Sequence, residues 1–565
     1  MGEPAEAVQA EDPVADGQRR VGVIVSVNGS FALVMLDDDR DVARAERPQL
    51  GAIMSIDAGD TVVLGFVSAM SAPAPNPDRR GEEVRLIELE LIGEFKKPTP
   101  RAPARFRRGV SSYPTLGDTA HAASRHELAA LFASGASTGV RVGVVRQDAS
   151  IPAVVGINEL FSRHCAVVGS TGVGKSSAVV LMLRAVVERY SNAHIVVIDP
   201  HNEYGAAFGD AAVVLDMAEY NLPYWTLNFD ELSDILYPDK SGVAEELEIL
   251  AELVTTAKKL NYTALKRAAA ERGGRGAGDI NALTVNSPTP YRISEVVGLI
   301  DKTLGGLEST HAVAPFKRLR GRLQAVSNDV RYASLFGGRV LRDNFAEMLS
   351  AIFRIPSHNA PISVLQLGGL PDEVGDIVVA AVARLAFDIG QSARGEAPIA
   401  LVVEDAHRYA PGIAEGAGDR LSRQSAAHRA LLKIGKEGRK NGVSLWISSA
   451  RPTDVDPSLL ALCNTFFAMR LANQSDQDAL RTAAPDASSS LLGCLPSLGL
   501  GEAIAFGEGV AMPMRMRFDA LPRGAVPKGL TTSFTDQWSN ENDEELLIER
   551  LVDQWRAQRA LAATD

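Results

Sequence analysis

The clearest chemical signal in the sequence lies between Gly169 and Ser176. These residues match the phosphate-loop pattern G-x-x-x-x-G-K-[ST] at every fixed position. The apolar run 164–168 before them predicts a buried strand, and apolar residues recur at helical spacing through 177–189. Strand, glycine loop and helix form the context in which this pattern binds phosphate, because backbone N–H groups and the positive helix end then face the anion.

The residue types in this loop predict how a nucleoside triphosphate, taken as ATP, would be held with Mg²⁺. The glycines let the backbone approach the anion, Lys175 would lie between the β- and γ-phosphates, and the Ser176 hydroxyl would bind Mg²⁺. The predicted nucleotide-binding residues are Gly169, Ser170, Thr171, Gly172, Val173, Gly174, Lys175, Ser176 and Ser177, together with His201 and Glu203 from a second segment.

Two consecutive acids end another apolar run, 401–403. A phosphate loop needs an acidic partner that follows a strand, to organise Mg²⁺ and align water. Glu404 is predicted to organise Mg²⁺, through water, and Asp405 to orient or deprotonate the attacking water. The alternative is a strand end with solvated acids.

A polar cluster, Asp199–Tyr204, follows the apolar run 194–198. Carboxyl ends of strands are where open α/β sheets bind ligands. His201 and Glu203 are therefore predicted to lie around the γ-phosphate, with a purely structural cluster as the equal alternative.

Two arginines are candidates to act on a neighbouring subunit's nucleotide. Arg439 follows a predicted helix and Arg451 follows the next predicted strand. An arginine supplied in trans can stabilise charge in the transition state of phosphoryl transfer. Charges that cap a helix end are the alternative for Arg439, and position alone does not decide between the two interpretations.

The pattern along the chain predicts an α/β protein with a RecA-like P-loop ATPase core, a small N-terminal β-barrel and an α-helical insertion. Short β-rich runs with an Asn28-Gly29 turn predict the barrel, and alternating strands and helices predict the core. The predicted boundaries are a disordered tail at 1–17, a barrel for assembly or partner docking at 18–97, a linker and entry segment at 98–139, the core at 140–224 and 351–530, the insertion at 225–350 and a C-terminal helical arm at 531–565.

Composition narrows the class of protein further. The chain has 565 residues and a net charge of −12, which excludes a simple DNA coat but permits local binding of nucleic acid. Basic residues cluster at 96–108 and 317–322, where a solvated or interdomain face and a phosphate track are the alternatives. No apolar run reaches the ~18 residues of a membrane helix. The three scattered cysteines and the lack of a signal pattern predict free thiols and a cytoplasmic location without membrane contact.

Several motifs in order resemble those of the HerA family of hexameric DNA-translocating ATPases, which is related to FtsK-type motors. The resemblance covers nearly the whole chain. The segments that carry it are Phe106–Pro114, Gly169–Ser176, Asp199–Tyr204, Glu404–His407, Glu437–Lys440, Arg451–Pro452 and Leu498–Ala503, besides the N-terminal β region.

The resemblance implies a homo-hexameric ring that pumps double-stranded DNA through its pore by ATP hydrolysis, with contacts to the DNA backbone. It also implies a partner, either a NurA-type nuclease in DNA end processing or a nuclease or NADase effector in anti-phage defence. It favours Arg439 over Arg451 as the arginine that acts in trans.

Two departures from the family pattern keep a second hypothesis open. The family often has Asp-Glu or Glu-Glu where this chain has Glu404-Asp405, and often has Gln where this chain has Ala450. The shorter side chain of Asp405 predicts slow turnover. With Ala450, either Asp405, Glu203 or Asn202 aligns the water or hydrolysis is weak. The alternative function is therefore an ATP-binding ring scaffold that assembles and activates a partner enzyme. A GTPase switch is disfavoured, because the chain has no Asn-Lys-x-Asp segment to recognise guanine.

Overall fold

The structure is a computed structural model. It describes residues 19–37, 47–72, 84–97, 106–132, 139–271, 279–305, 310–337, 342–412, 424–483, 489–528, 535, 538, 548–553 and 556. The chain divides into two compact units, which we describe one at a time. The first unit comprises Met1–Arg189 and Trp446–Pro522, and the second comprises Tyr190–Leu445 and Arg523–Asp565.

The strands of the described residues follow in chain order. They are β1 (Arg20–Val27), β2 (Phe31–Leu36), β3 (Ile53–Ala58), β4 (Thr61–Ser71), β5 (Leu86–Lys96), β6 (Phe106–Arg108), β7 (Thr119–Ala122), β8 (Gly139–Val145), β9 (Pro152–Gly156), β10 (His164–Val168), β11 (Ile195–Asp199), β12 (Ala212–Asp216), β13 (Ile362–Gln366), β14 (Ile399–Val403), β15 (Val443–Ser449), β16 (Cys463–Ala468), β17 (Glu502–Gly507) and β18 (Met514–Phe518).

The α-helices of the same residues are α1 (Arg125–Phe132), α2 (Ile157–Phe161), α3 (Lys175–Arg189), α4 (Met217–Tyr220), α5 (Phe229–Leu236), α6 (Ala244–Glu271), α7 (Ile293–Leu304), α8 (Thr310–Ser327), α9 (Ala333–Phe336), α10 (Phe345–Phe353), α11 (Asp372–Ser392), α12 (Ala426–Glu437), α13 (Pro457–Ala461), α14 (Gln474–Ala483) and α15 (Ser489–Leu492).

The first unit begins with a closed β-barrel. Its strands run in the order β2-β1-β7-β3-β4-β5, and a further pairing of β2 with β5 closes the ring, with β6 added to β5. Alternate apolar side chains point inward, so residues such as Val34, Ile56 and Leu89 are fully buried. The Asn28 side chain accepts the backbone N–H groups of Ser30 and Phe31, which stabilises the predicted turn between β1 and β2. The predicted N-terminal barrel is confirmed.

The barrel extends beyond the predicted boundary at residue 97. Strand β7 pairs with both β1 and β3 and lies inside the segment that the sequence predicted as a linker. Its sequence, Thr-Ala-His-Ala, has no apolar β-branched run, so local propensity gives no strand signal. The pairing depends instead on contacts with residues far away in the chain.

The remainder of the first unit is a sheet in the order β15-β10-β16-β17-β18-β8-β9. The central strands β15, β10 and β16 are parallel, and β17, β18, β8 and β9 continue the sheet with antiparallel pairing. Every residue of β10 is buried. Burial on both faces requires the continuous apolar run seen in the sequence, and it fixes the point from which the glycine loop leaves.

The second unit contains a parallel sheet in the order β12-β13-β11-β14. Helices α11 and α12 pack against each other, and α11 also contacts α5 and β14. Residues between β12 and β13 form helices α4 to α10, among which α8 contacts α5, α6 and α7. The buried ion pair between Arg384 of α11 and Glu231 of α5, at 2.7 Å, fastens this helical region to the sheet layer.

Several cations of the two basic clusters contact other parts of the chain. Arg318 and Arg320 pair with Glu246 and Asp301 inside the second unit. In the first unit, the guanidinium of Arg108 donates to backbone carbonyls of the turn between β17 and β18. These contacts favour the structural interpretation of the cluster 317–322 and of Arg108, whereas residues 98–105 of the other cluster lie outside the described residues.

Two of the predicted segments fall mainly outside the described residues. The N-terminal tail at 1–17 is one, and most of the arm at 531–565 is the other. Cys165 and Cys463 are buried and Cys494 is half-buried, all three as free thiols. Within the described ranges, no helix is long and apolar enough to cross a membrane.

Candidate nucleotide site

The glycine loop of the first unit is held by backbone hydrogen bonds at three points. The N–H of Gly169 donates to Ser449 at the end of β15, and that of Ser170 donates to Arg470 just after β16. The N–H of Gly501, which precedes β17, donates to the carbonyl of Val173. The loop is thus fixed by the strands on both sides of β10, before any ligand is bound.

Glycine is required in this loop for two separate reasons. Gly172 and Gly174 have φ values of +79° and +103°, a region that other residues rarely adopt. A Cβ at Gly172 would point into open space, whereas one at Gly169 would lie 2.7 Å from the Cβ of Met469. Gly169 therefore permits close packing, and Gly172 leaves the backbone uncovered where an anion would approach.

Lys175 is the first residue of the 15-residue helix α3 and is only 8% exposed. Its Nζ donates to the carbonyl of Ser170 at 3.3 Å, so the ammonium group is drawn back over the loop. A buried cation, uncovered backbone and a helix N-terminus fit the triphosphate of ATP. Ser176 follows on the first turn of α3, in the position from which a hydroxyl would bind the Mg²⁺ of the nucleotide.

The predicted acids of the second unit follow β14 directly. Glu404 is 5% exposed, and its backbone N–H donates to the carbonyl of Ile198 at the end of β11. The phenol of Tyr204 donates a hydrogen bond to Oε2 of Glu404 over 2.5 Å. The buried carboxylate is therefore held by a charge-assisted hydrogen bond from the neighbouring strand end.

Asp405 has a left-handed backbone with φ of +48°. Its Oδ2 lies 2.9 Å from Nε2 of His201. The structure therefore joins His201 to the second acid of the pair. The position of His201 around the γ-phosphate stays a prediction.

The segment Asp199–Tyr204 forms a turn, which we call the Asp199–Tyr204 turn. Asp199 is fully buried and accepts the N–H groups of Glu203 and Tyr204 at 3.0 and 2.9 Å. Burial raises the pKa of the Asp199 carboxyl, and these backbone donors oppose the rise. Asp199 thus stabilises the turn from inside. Glu203, the other predicted ligand here, is half-buried, and its carbonyl accepts the N–H of Lys528.

The two candidate arginines are both exposed. Arg439 lies on the 3₁₀ turn Gly438–Asn441, which directly follows α12 in the second unit. Arg451 lies in the first unit just after β15, where Asp454 is 3.8 Å from its guanidinium. The Arg451 loop is fixed by Asp476, which accepts the hydroxyl and the N–H of Thr453. An exposed position is what a group acting on another subunit would need.

The sequence pattern assigns no role to Tyr204, although this residue ends the polar segment Asp199–Tyr204. The available signal was a tyrosine in a polar cluster after a strand, since a buried phenol usually finds a hydrogen-bond partner. Its partner Glu404 lies 200 positions later in the chain. No local pattern identifies a partner at that distance.

Comparison with known proteins shows what this chain is similar to. Residues 140–386 match a family model described as the central domain of helicase HerA. The probable helicase MJ1565 of Methanocaldococcus jannaschii is 25% identical over 506 residues, covering 85% of this chain and 88% of the relative. The DNA double-strand break repair helicase HerA of Sulfolobus acidocaldarius is 24% identical over 508 residues, covering 86% and 91%.

The chain is similar to the HerA family through a family model that covers less than half of its length and through relatives that are 24–25% identical over most of it. These similarities confirm the resemblance that the ordered motifs indicated. With this phosphate loop the chain is a P-loop ATPase, and ATP with Mg²⁺ is the cofactor that the loop fits.

The similarity to solved structures is lower. VirB4 of Thermoanaerobacter pseudethanolicus is 16% identical with a TM-score of 0.44, covering 68% of this chain and 97% of its own. The plasmid coupling protein TrwB in complex with ADP and Mg²⁺ is 14% identical with a TM-score of 0.42, covering 69% and 97%.

Proposed function

We propose that the chain is the subunit of a homo-hexameric ring that moves along double-stranded DNA by hydrolysing ATP, in the cytoplasm, together with a nuclease or NADase effector. The observation that carries the proposal is that the chain has a complete phosphate loop in its first unit and, in its second, two consecutive acids that each have a hydrogen-bond partner. The names of the HerA relatives, which describe repair helicases, support DNA as the substrate.

Each site residue has a proposed role in the reaction. Lys175 and the loop N–H groups bind the phosphates, and Ser176 and Glu404 hold Mg²⁺, the latter through water. Bound Mg²⁺ supplies charge neutralisation on the phosphates. Asp405 orients the attacking water and accepts its proton. Arg439, with Arg451 as the alternative, stabilises the developing charge from the neighbouring subunit.

The test of this function is steady-state ATP turnover by the purified protein with and without long duplex DNA. We expect turnover to rise several-fold with DNA and to be lost in Lys175→Ala and Glu404→Ala. Equal turnover in wild type and Lys175→Ala would show that the site is misassigned.

Mixing experiments test the proposed role of Arg439. If it acts in trans, Arg439→Ala rings will regain turnover when mixed with Lys175→Ala subunits, since some interfaces then combine an intact loop with an intact arginine. Mixtures that stay inactive for Arg439→Ala but recover for Arg451→Ala would assign the role to Arg451.

A second candidate function is an ATP-binding scaffold that assembles an effector with little hydrolysis. It is favoured by Ala450, which has no polar group to read the γ-phosphate, and by the short side chain of Asp405. Wild-type turnover no higher than that of Glu404→Ala, combined with ring formation that needs ATP, would support the scaffold over the motor.

A further inference from the structure

The Asp199–Tyr204 turn provides a side-chain partner for each of the two consecutive acids. Tyr204 donates to Glu404, and His201 lies at hydrogen-bond distance from Asp405. Neither acid depends on solvent alone to fix its carboxylate. One turn after β11 thus sets the orientation of both acids that follow β14.

The contact made by Tyr204 is rigid at both ends. Its side chain is fully buried, its N–H is bound to Asp199, and its ring stacks on Phe208 with centroids 6.3 Å apart. At the other end, the backbone of Glu404 is bound to Ile198. With both backbones fixed, the phenol restricts the rotation of the Glu404 carboxylate.

The contact made by His201 has a different character. The imidazole is about half exposed, with 49% of its side chain accessible, whereas the Asp405 side chain is 20% accessible. The left-handed backbone of Asp405 suits aspartate, whose short polar side chain tolerates that region better than most. The short side chain reaches His201 from this backbone, so the departure from the common family pattern has a local structural reason.

We propose that Tyr204 and His201 are positioning residues that give the two acids separate tasks. Tyr204 holds Glu404 toward the hydrated Mg²⁺, and His201 holds Asp405 toward the attacking water. This inference rests on the proposed ATPase function and assigns to the turn a role in orienting the acids.

The first test is Tyr204→Phe, with Tyr237→Phe as the matched control. Tyr237 also has a buried hydroxyl, but within the described residues that hydroxyl has no hydrogen-bond partner. Loss of a hydrogen bond to a charged group predicts a fall in kcat of roughly ten-fold for Tyr204→Phe. The Mg²⁺ concentration for half-maximal turnover should rise, with the Kd for ATP unchanged. Tyr237→Phe should match wild type in all three quantities.

The second test compares His201→Ala with His201→Gln. Both should lower kcat without changing the Mg²⁺ dependence, and glutamine should recover part of the loss because its amide can still donate to Asp405. His126→Ala, on the exposed surface of α1, is the control for removing an imidazole. This difference in Mg²⁺ response separates the tasks of the two positioning residues.

Double variants decide between positioning and general structural support. Tyr204→Phe should add no further loss to Glu404→Gln, and His201→Ala none to Asp405→Asn, because each pair acts as one unit. Additive losses, or wild-type kcat in Tyr204→Phe and His201→Ala, would overturn the inference. If wild type itself has no turnover above Lys175→Ala, the proposed ATPase function fails instead, and the two failures are distinguishable.

Discussion

The phosphate loop and the Asp199–Tyr204 turn both follow buried parallel strands, yet they hold their functional groups in different ways. The loop is shaped by backbone: positive-φ glycines, three main-chain anchors and a helix end. The turn works through side chains, with Asp199 inside it and Tyr204 and His201 reaching the acids. A site of the first kind has a fixed local sequence, whereas one of the second kind depends on partners far away in the chain.

The largest expected effect separates binding from turnover. Lys175→Ala removes the buried cation over the loop and should weaken ATP binding by roughly a hundred-fold or more. Glu404→Ala should leave ATP binding near wild type while abolishing hydrolysis. Equilibrium binding of a fluorescent ATP analogue checks both variants. Equal loss of binding in both would mean that the acids, too, bind the nucleotide in its ground state.

The next prediction concerns the glycine backbone of the loop. Gly174→Ala adds a Cβ that meets only Met469, at 3.6 Å, so its effect comes from the φ of +103° and not from collision. The strain of a non-glycine residue there, on the order of 1–2 kcal/mol, predicts roughly a ten-fold weaker Kd for ATP. Isothermal titration of ATP into the variant measures this. Gly321→Ala, at an open position on α8, is the control with no expected change.

Asp405→Glu tests whether the contact between the second acid and His201 of the turn depends on the length of the acidic side chain. Glutamate restores an acid common at this position in the family, but it is less suited to a left-handed backbone and displaces the carboxylate from His201. We expect kcat to fall by about five-fold, because misplacing a base is costly. An increase in kcat would show that side-chain length limits the wild-type rate.

The smallest expected effect concerns Glu502, which follows the Gly501 whose N–H donates to Val173 of the phosphate loop. Burial would raise the pKa of Glu502, but hydrogen bonds from Arg515, Gly499 and Arg146 together hold it below its ordinary value of 4.5. A lowered folded-state pKa adds stability above pH 4.5 that disappears as pH falls below it. Glu502→Gln should therefore lower the free energy of unfolding by about 1 kcal/mol at neutral pH. Urea unfolding should show this difference shrinking as the pH falls below 4.5; a constant difference would contradict the assignment.

The phosphate loop and the strands around it were predictable because their signals are local. The fixed motif at Gly169–Ser176 and the continuous apolar runs of β10 and β14 are visible in the sequence, and so is the acid pair. Strand β7 was missed because its residues have little β propensity. The partners of Glu404 and Asp405 were missed because they lie about 200 positions away, where only the folded sheet brings them together.

The closure of the barrel by β2 and β5 affects how copies of this chain can associate through strand pairing. The six strands bond around a complete ring, so the backbone along that ring is already paired. Neighbouring copies have little unpaired main chain there on which to add a strand, which is the usual route to amyloid-like growth. Apart from the three-residue strand β6, which pairs with β5 outside the ring, a partner of this part of the molecule would recognise side chains and loops. Such recognition can change partner through surface substitutions without disturbing the fold.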